Sequence, residues 1–346
     1  MNLLISSSPS RITSLVLACI TLLLSGCTMG LKPLADSIDL EVERSLDRGF
    51  DGIIVYVNQG GKSSFHSAGF HNREEQIPAD PHALFKIASI SKLYMAAATA
   101  KLVAAGTLSL ESTLDELIPE VADHIEYADE ITLKLMLQHR SGIPEFVYHP
   151  DFPDRDPYES YLATASLIYD QGADFAPDRK YSYSNTNYLL LGEILDRTLG
   201  YSHNDYIKEE ILLPLGLVNT YMVYNDADPN EVMSGYILGY EPDLKELDAT
   251  RPGGTMVATA EDVGTFLRAL IDGSLLNEEE QQIYTSVYEY DHTGWLPGYT
   301  SIAAYHSEID AIVIQFVSTS GKETFWLELR KVYKRIVRIL ENQPLQ

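Results

Sequence analysis

Ser89 and Lys92 stand three residues apart in LFKIASISKLYMAAATAKLVAAG, residues 84–106. Chance alone supplies about one SxxK in a chain this long, so the tetrapeptide takes its meaning from its surroundings. LYMAAATAKLVAA is a strong helix former stopped by Gly106, which places Ser89 where that helix begins. A serine there would ordinarily cap the helix. A capping box would then want Glu or Gln at position 92, yet the chain has Lys92, a cation opposing the helix dipole in its first turn. Nucleophilic catalysis accounts for that anomaly. Residues three apart share a helix face with Cβ atoms about 5–6 Å apart, so the Lys92 amine can reach the Ser89 hydroxyl. The dipole and the apolar neighbours Ile87, Ala88, Leu93 and Met95 would lower the Lys92 pKa toward that of a base. A backbone N–H left free at the helix start could stabilise an oxyanion.

Two more polar groupings stand out. RKYSYSNTNYLLLGEIL sets Tyr183-Ser184-Asn185 in a polar loop just ahead of a helix, and DHTGWLPGYTS sets His292-Thr293-Gly294 at the start of a strand. Each has a plain structural alternative: an aromatic packed beside a turn Asn, in a chain with 22 Tyr, and a solvated turn closing a strand. Taken in order, SISK, YSN and HTG resemble the three motifs of the serine β-lactamase and penicillin-recognising family, in particular its class C β-lactamase, DD-carboxypeptidase and esterase branch. The resemblance covers roughly residues 40–340 and extends to LFKIAS, LMLQHRSGIPEF (135–146), LPLGLVNTYM (213–222) and RPGGTMVATAEDVGTFL (251–267).

That resemblance implies a set of roles. Ser89 would be the acylated nucleophile and Lys92 its base or orienter. Tyr183 would carry the proton to the leaving group, with a phenolate held by Lys92 and cations such as Lys180 as one form it could take. Asn185 would orient the substrate carbonyl or amide, and His292, Thr293 and Gly294 would line the strand along which substrate lies. The oxyanion hole would be the backbone N–H groups of Ser89 and Trp295. Gly294 suits a point where substrate and backbone approach closely. No metal or organic cofactor is required: the His residues lack metal-ligand spacing, and GxSxG, HExxH and GxxxxGK are absent.

The elements that must position these residues are legible in outline. SIDLEVERSLDRGF predicts an amphipathic helix, and GIIVYVNQGGKSSFHSAGF two strands turning at Asn58-Gln59-Gly60-Gly61. TSIAAYHSEIDAIVIQFVSTS predicts a second strand pair turning near Ser307-Glu308, and KETFWLELRKVYKRIVRILE a closing helix. Helical patterns fill the middle: ITLKLMLQHR, ESYLATASLIYDQG, NYLLLGEILDRTLG and TAEDVGTFLRALIDG. The expected fold is therefore α/β of the α+β kind, β-lactamase-like. An antiparallel sheet built by both chain ends is flanked by helices, with a mostly helical subdomain inserted at roughly 90–290. The catalytic-type domain would span 40–341, with a site in the cleft between sheet and helices.

The first residues predict a leader. Arg11 is the only charge before LVLACITLLL, an apolar run too short to span a membrane, and Leu24-Ser25-Gly26-Cys27 resembles a bacterial lipobox. The expectation is a signal peptide over 1–26, a lipidated Cys27 and a spacer over 27–39. The chain would then be exported and held on a membrane by its lipid, in the cell envelope. With Cys19 lost in the leader, Cys27 would be the only thiol left. A net charge of −25 over 346 residues argues against nucleic acid or an anionic membrane surface as a partner, since both would repel the chain.

The expected partner is a small-molecule or peptide acyl substrate. The HTG form looks more like a DD-peptidase, since β-lactamases of this branch usually carry Lys where this chain has His292. A carboxylate-terminated peptide wants a cation, however, and residues 269–321 hold no Lys or Arg. Only a protonated His292 and the Thr293 hydroxyl could serve, among Glu278, Glu279, Glu280, Glu289 and Asp291. Neutral esters, amides and lactones thus stand beside D-Ala peptides. Two non-hydrolytic readings share the fold: a catalytically silent binding or scaffolding module, and a protein that β-lactams acylate without turnover.

Overall fold

The runs IIVYV and AIVIQFV are apolar at consecutive rather than alternate positions, so a strand made of either needs cover on both faces. The computed structural model, which describes residues 33–248 and 251–343, provides it. The expected leader and Cys27 lie outside the described residues. Asp36–Gln346 forms one compact unit, which holds every element of the fold and the site.

The N-terminal strands are β1 (Gly52–Gln59), β2 (Lys62–Asn72) and β3 (Ile77–Pro78). Four strands of two residues each follow: β4 (Phe85–Lys86), β5 (Thr220–Tyr221), β6 (Tyr236–Ile237) and β7 (Val257–Ala258). The C-terminal set is β8 (His292–Leu296), β9 (Tyr299–His306), β10 (Ala311–Val317) and β11 (Thr319–Ser320). The main sheet runs β3-β2-β1-β10-β9-β8 with antiparallel pairing throughout, so the two chain ends meet in its centre and β8 is an edge. The expected turns fall at Gly60-Gly61, both at positive φ, and at Ser307–Ile309 followed by left-handed Asp310.

Among the described residues, six longer helices complete the frame: α1 (Ile38–Ser45), α2 (Ser91–Ala104), α3 (Asn185–Leu199), α4 (Ala260–Asp272), α5 (Glu278–Val287) and α6 (Glu323–Asn342). Helices α1 and α6 pack together on one face of the sheet. There the Gln315 amide of β10 donates to the Leu329 carbonyl of α6 at 3.2 Å, and Arg335 of α6 forks onto buried Glu41 of α1. The opposite face receives α4, whose Gly264 lies flat on the Tyr56 ring, where any Cβ would collide with it. Both faces being covered is why β1 and β10 tolerate no alternation.

The helical insertion is more broken than its periodicity predicts. ITLKLMLQHR yields only Leu133–Leu137, and ESYLATASLIYDQG a short turn at Tyr161–Ala165 running into a 3-10 turn. A second, three-stranded sheet, β4-β7-β5, joins two strands of the insertion, β7 and β5, to β4 just ahead of it. Strands of two residues carry no readable alternation, so no sequence pattern announces them.

Candidate active site

Ser89 does not cap its helix. A 3-10 turn, Ala88–Ile90, carries it, and α2 starts two residues later with Ile90 as an N-cap that makes no side-chain bond. The Ser89 hydroxyl is thereby free of backbone duty. Ala88, immediately before it, is held at φ +53, a left-handed conformation that costs a residue with a Cβ about 1 kcal/mol or more. Ser91 locks the turn: its hydroxyl donates to the Ala88 carbonyl at 2.6 Å and accepts from the Met256 N–H at 3.3 Å. The Ile87 N–H donates to the Met256 carbonyl at 3.0 Å, so the strand leading to the nucleophile is sewn to the segment after Gly253.

Lys92, in the first turn of α2, is fully buried. Its amine lies 3.2 Å from Ser89 Oγ, 2.9 Å from Asn185 Oδ1 and 2.7 Å from the Gly253 carbonyl. Burial pushes its pKa down to about 7, opposed by the negative charge of Glu145. Once deprotonated, the amine has two N–H groups and one lone pair. The two fixed acceptors, Asn185 Oδ1 and Gly253 O, hold the N–H groups, so the lone pair faces Ser89 Oγ. Gly253 sits at φ +77 with Lys92 and Tyr188 packed over it, leaving little room for a side chain.

The Tyr183 hydroxyl donates to Ser89 Oγ at 2.9 Å. Burial drives its pKa above the ordinary tyrosine value, and nearby Glu145 adds to the rise against the Ser89 hydrogen bond. The phenolate considered from the resemblance is therefore disfavoured here. Lys180 lies over the Phe175 ring, 4.7 Å from its centroid. Tyr183 is a protonated donor. Asn185 is the first residue of α3, and its N–H and amide both donate to Glu145 Oε2, at 2.7 and 2.9 Å. Glu145 thus places its carboxylate at the positive end of α3 and turns the Asn185 carbonyl toward Lys92.

Strand β8 packs directly against the 3-10 turn of Ser89. Gly294 makes that approach possible, because a Cβ there would strike the Ile87 carbonyl and the Ser301 hydroxyl. His292, Thr293 and Trp295 share this edge strand, paired with Ala303, Ile302 and Thr300 of β9. His292 stacks parallel to Tyr288, centroids 6.0 Å apart, and lies 6.1 Å from Tyr183. Burial and the Lys92 charge push its pKa down to about 4. It is neutral at physiological pH, so the cation that residues 269–321 lack is not supplied by His292.

A cavity of about 570 Å³ opens beside Tyr183, His292 and Thr293. Its wall includes Tyr181, Tyr288, Glu289, Asp291 and Arg140. Arg140 brings a cation from a distant segment, but its guanidinium is committed to the Asp178 carboxylate and carbonyl, both at 2.7 Å.

The structure therefore brings Ser89, Lys92, Tyr183, Asn185 and the HTG strand together. Sequence reasoning missed Glu145, Gly253 and His139. All three lie in segments that resemble the family, yet none carries a pattern that names its contact.

Scaffold and site define a class, the serine hydrolase fold shared by β-lactamases and penicillin-binding proteins. The family model described as Beta-lactamase matches residues 38–300, and the chain belongs to that family. It is 26% identical over 254 residues to penicillin-binding protein 4* of Bacillus subtilis, covering 67% of this chain and 55% of the relative. It is 24% identical over 306 residues to protein flp of Staphylococcus aureus, covering 83% and 61%. The chain thus spans less than two thirds of the length of these relatives. Among solved structures, D-amino acid amidase from Ochrobactrum anthropi superposes with a TM-score of 0.76 at 24% identity, over 89% of this chain and all of the other. A penicillin-binding protein from Bacillus halodurans gives 0.73 at 22% identity, over 86% and 99%. At such identities the likeness is one of fold.

Proposed function

We propose that this chain is a serine acyl hydrolase working through a Ser89 acyl-enzyme. One observation carries the reading: Ser89 Oγ lies within hydrogen-bond reach of both the buried Lys92 amine and the Tyr183 hydroxyl. Neutral Lys92 takes the Ser89 proton as Oγ bonds to the acyl carbon of an ester or amide. Negative charge builds on the carbonyl oxygen, and the backbone N–H groups of Ser89 and Trp295, on facing segments, are its stabilisers in this reading. The carbon–leaving-group bond then breaks as Tyr183 gives its proton to the departing nitrogen or oxygen, and the proton taken by Lys92 passes back across Ser89 Oγ to the Tyr183 oxygen, restoring the phenol and the free amine. Water cleaves the Ser89 ester, releasing the acid and restoring the hydroxyl.

The substrate class is D-Ala-type peptides, esters and amides, with neutral ones favoured. Arg140 is tied to Asp178, His292 is uncharged, and Glu289 and Asp291 line the cavity wall, so a free substrate carboxylate finds no uncommitted cation there. The amidase similarity in fold is consistent with an amide substrate. The LLLSGC stretch supports export and tethering at Cys27, which labelling with a fatty-acid analogue, lost in Cys27→Ala, would test.

The deciding experiment is intact-mass measurement of the purified chain after a fluorescent penicillin and, separately, a fluorophosphonate, beside Ser89→Ala. A single adduct lost in Ser89→Ala is expected. No adduct with either probe on folded protein would refute hydrolysis and leave a silent binding module. A penicillin adduct that never decays would leave a β-lactam trap.

A further inference from the structure

Tyr183 sits on a stretch, residues 171–184, with no helix or strand of its own, yet its hydroxyl must stay on Ser89 Oγ. Something outside the stretch has to hold it. His139 touches it three ways. Its carbonyl accepts from the Ser182 N–H at 2.9 Å, and its Nδ1 accepts from the Ser184 N–H at 3.3 Å, so it clasps the amides on both sides of Tyr183. Its ring stacks on the Tyr183 ring with centroids 4.3 Å apart, backed by Tyr188 at 5.3 Å. The residue is 3% exposed and held at φ +54, a left-handed conformation that places backbone and ring against the same strand of chain. Neighbouring bonds continue the seam: Asp178 N–H to the Arg140 carbonyl, Asp174 N–H to the Gly142 carbonyl, and the Ser141 hydroxyl to Asn187 Oδ1.

We propose that His139 is a positioning residue for Tyr183, fixing the phenol on the nucleophile chiefly through its hydrogen bond from the Ser184 amide, with the stacked ring a lesser support. Nδ1 must be an acceptor for this, which puts the single proton on Nε2. Burial, with Lys92 and His292 nearby, pushes the His139 pKa down to about 3 and keeps the ring in that neutral form. The proposal rests on the acyl-hydrolase reading above.

The test compares His139→Asn with His139→Gln, each alone and with Tyr183→Phe, using a chromogenic neutral ester and the fluorophosphonate labelling rate. Asn carries its acceptor where Nδ1 stands and tolerates left-handed backbone; Gln carries it one carbon farther and leaves the Ser184 N–H bare. H139N should keep kcat within about fivefold, while H139Q should lose on the order of 10²-fold in kcat with KM nearly unchanged. In the Tyr183→Phe background the H139Q loss should largely vanish, a non-additivity that general destabilisation would not produce. Should H139Q fail to fold, His139→Ala in both backgrounds carries the same expectation. Equal activity of the Asn and Gln variants, or a loss that persists without the Tyr183 hydroxyl, would overturn the proposal alone. A wild-type chain with no Ser89 adduct would sink the hydrolase reading and this proposal with it.

Discussion

Glu145→Gln isolates the electrostatics of the base. The Asn185 amide bridges Lys92 and Glu145, with 2.9 Å hydrogen bonds at either end. The two charges are therefore about 7 Å apart once the amide between them is included. At an effective dielectric of about 20 their attraction is about 2.4 kcal/mol. Solvent at half-buried Glu145 trims that figure, but removing the carboxylate should still lower the Lys92 pKa by at least about one unit. The sign follows from the charge: Glu145 favours protonated Lys92, so its loss favours the free amine. The assay is the fluorophosphonate labelling rate of Ser89 against pH. Wild type should show an acid limb centred near pH 7, where buried Lys92 titrates. In E145Q that limb should move to lower pH, keeping the enzyme active in more acid solution. Gln also replaces one carboxylate oxygen with an amide NH2 that cannot accept, most readily the oxygen facing the Val147 N–H. That loss costs about 1–3 kcal/mol of stability and shows in thermal unfolding rather than in the limb. A limb that stays in place or moves up would refute the assignment of Lys92 as the titrating base.

Gly294→Ala should retain native circular dichroism yet lose on the order of 10²-fold in acylation rate, because its Cβ forces β8 away from the Ser89 turn. An unchanged labelling rate would show that this approach does not matter. Arg335→Met should destabilise the fold by about 3–5 kcal/mol in urea unfolding, since it strands the buried Glu41 carboxylate. Adding Glu41→Leu should recover most of that loss, and a double variant as weak as the single would contradict it.

Much of this protein follows from local pattern. The 3.6-residue periodicity of NYLLLGEILDRTLG and KETFWLELRKVYKRIVRILE, and the apolar runs of GIIVYVNQ and AIVIQFV, produce α3, α6, β1 and β10 because helix and strand geometry repeat over neighbouring residues. The three-residue step from Ser89 to Lys92 likewise sets their reach within one turn. Tertiary structure alone decided the chemistry around them. The Lys92 pKa depends on complete burial, and its lone pair is aimed by Gly253 and Asn185, which are 161 and 93 residues away in the chain. Glu145 and His139 act on Asn185 and on the amides flanking Tyr183 across 40 or more residues. Whether Tyr183 is a phenol or a phenolate is likewise a matter of desolvation. Burial and long-range hydrogen bonding have no period along a chain, so residues that create them leave no spacing to read. They exist only once the sheet has joined the two ends.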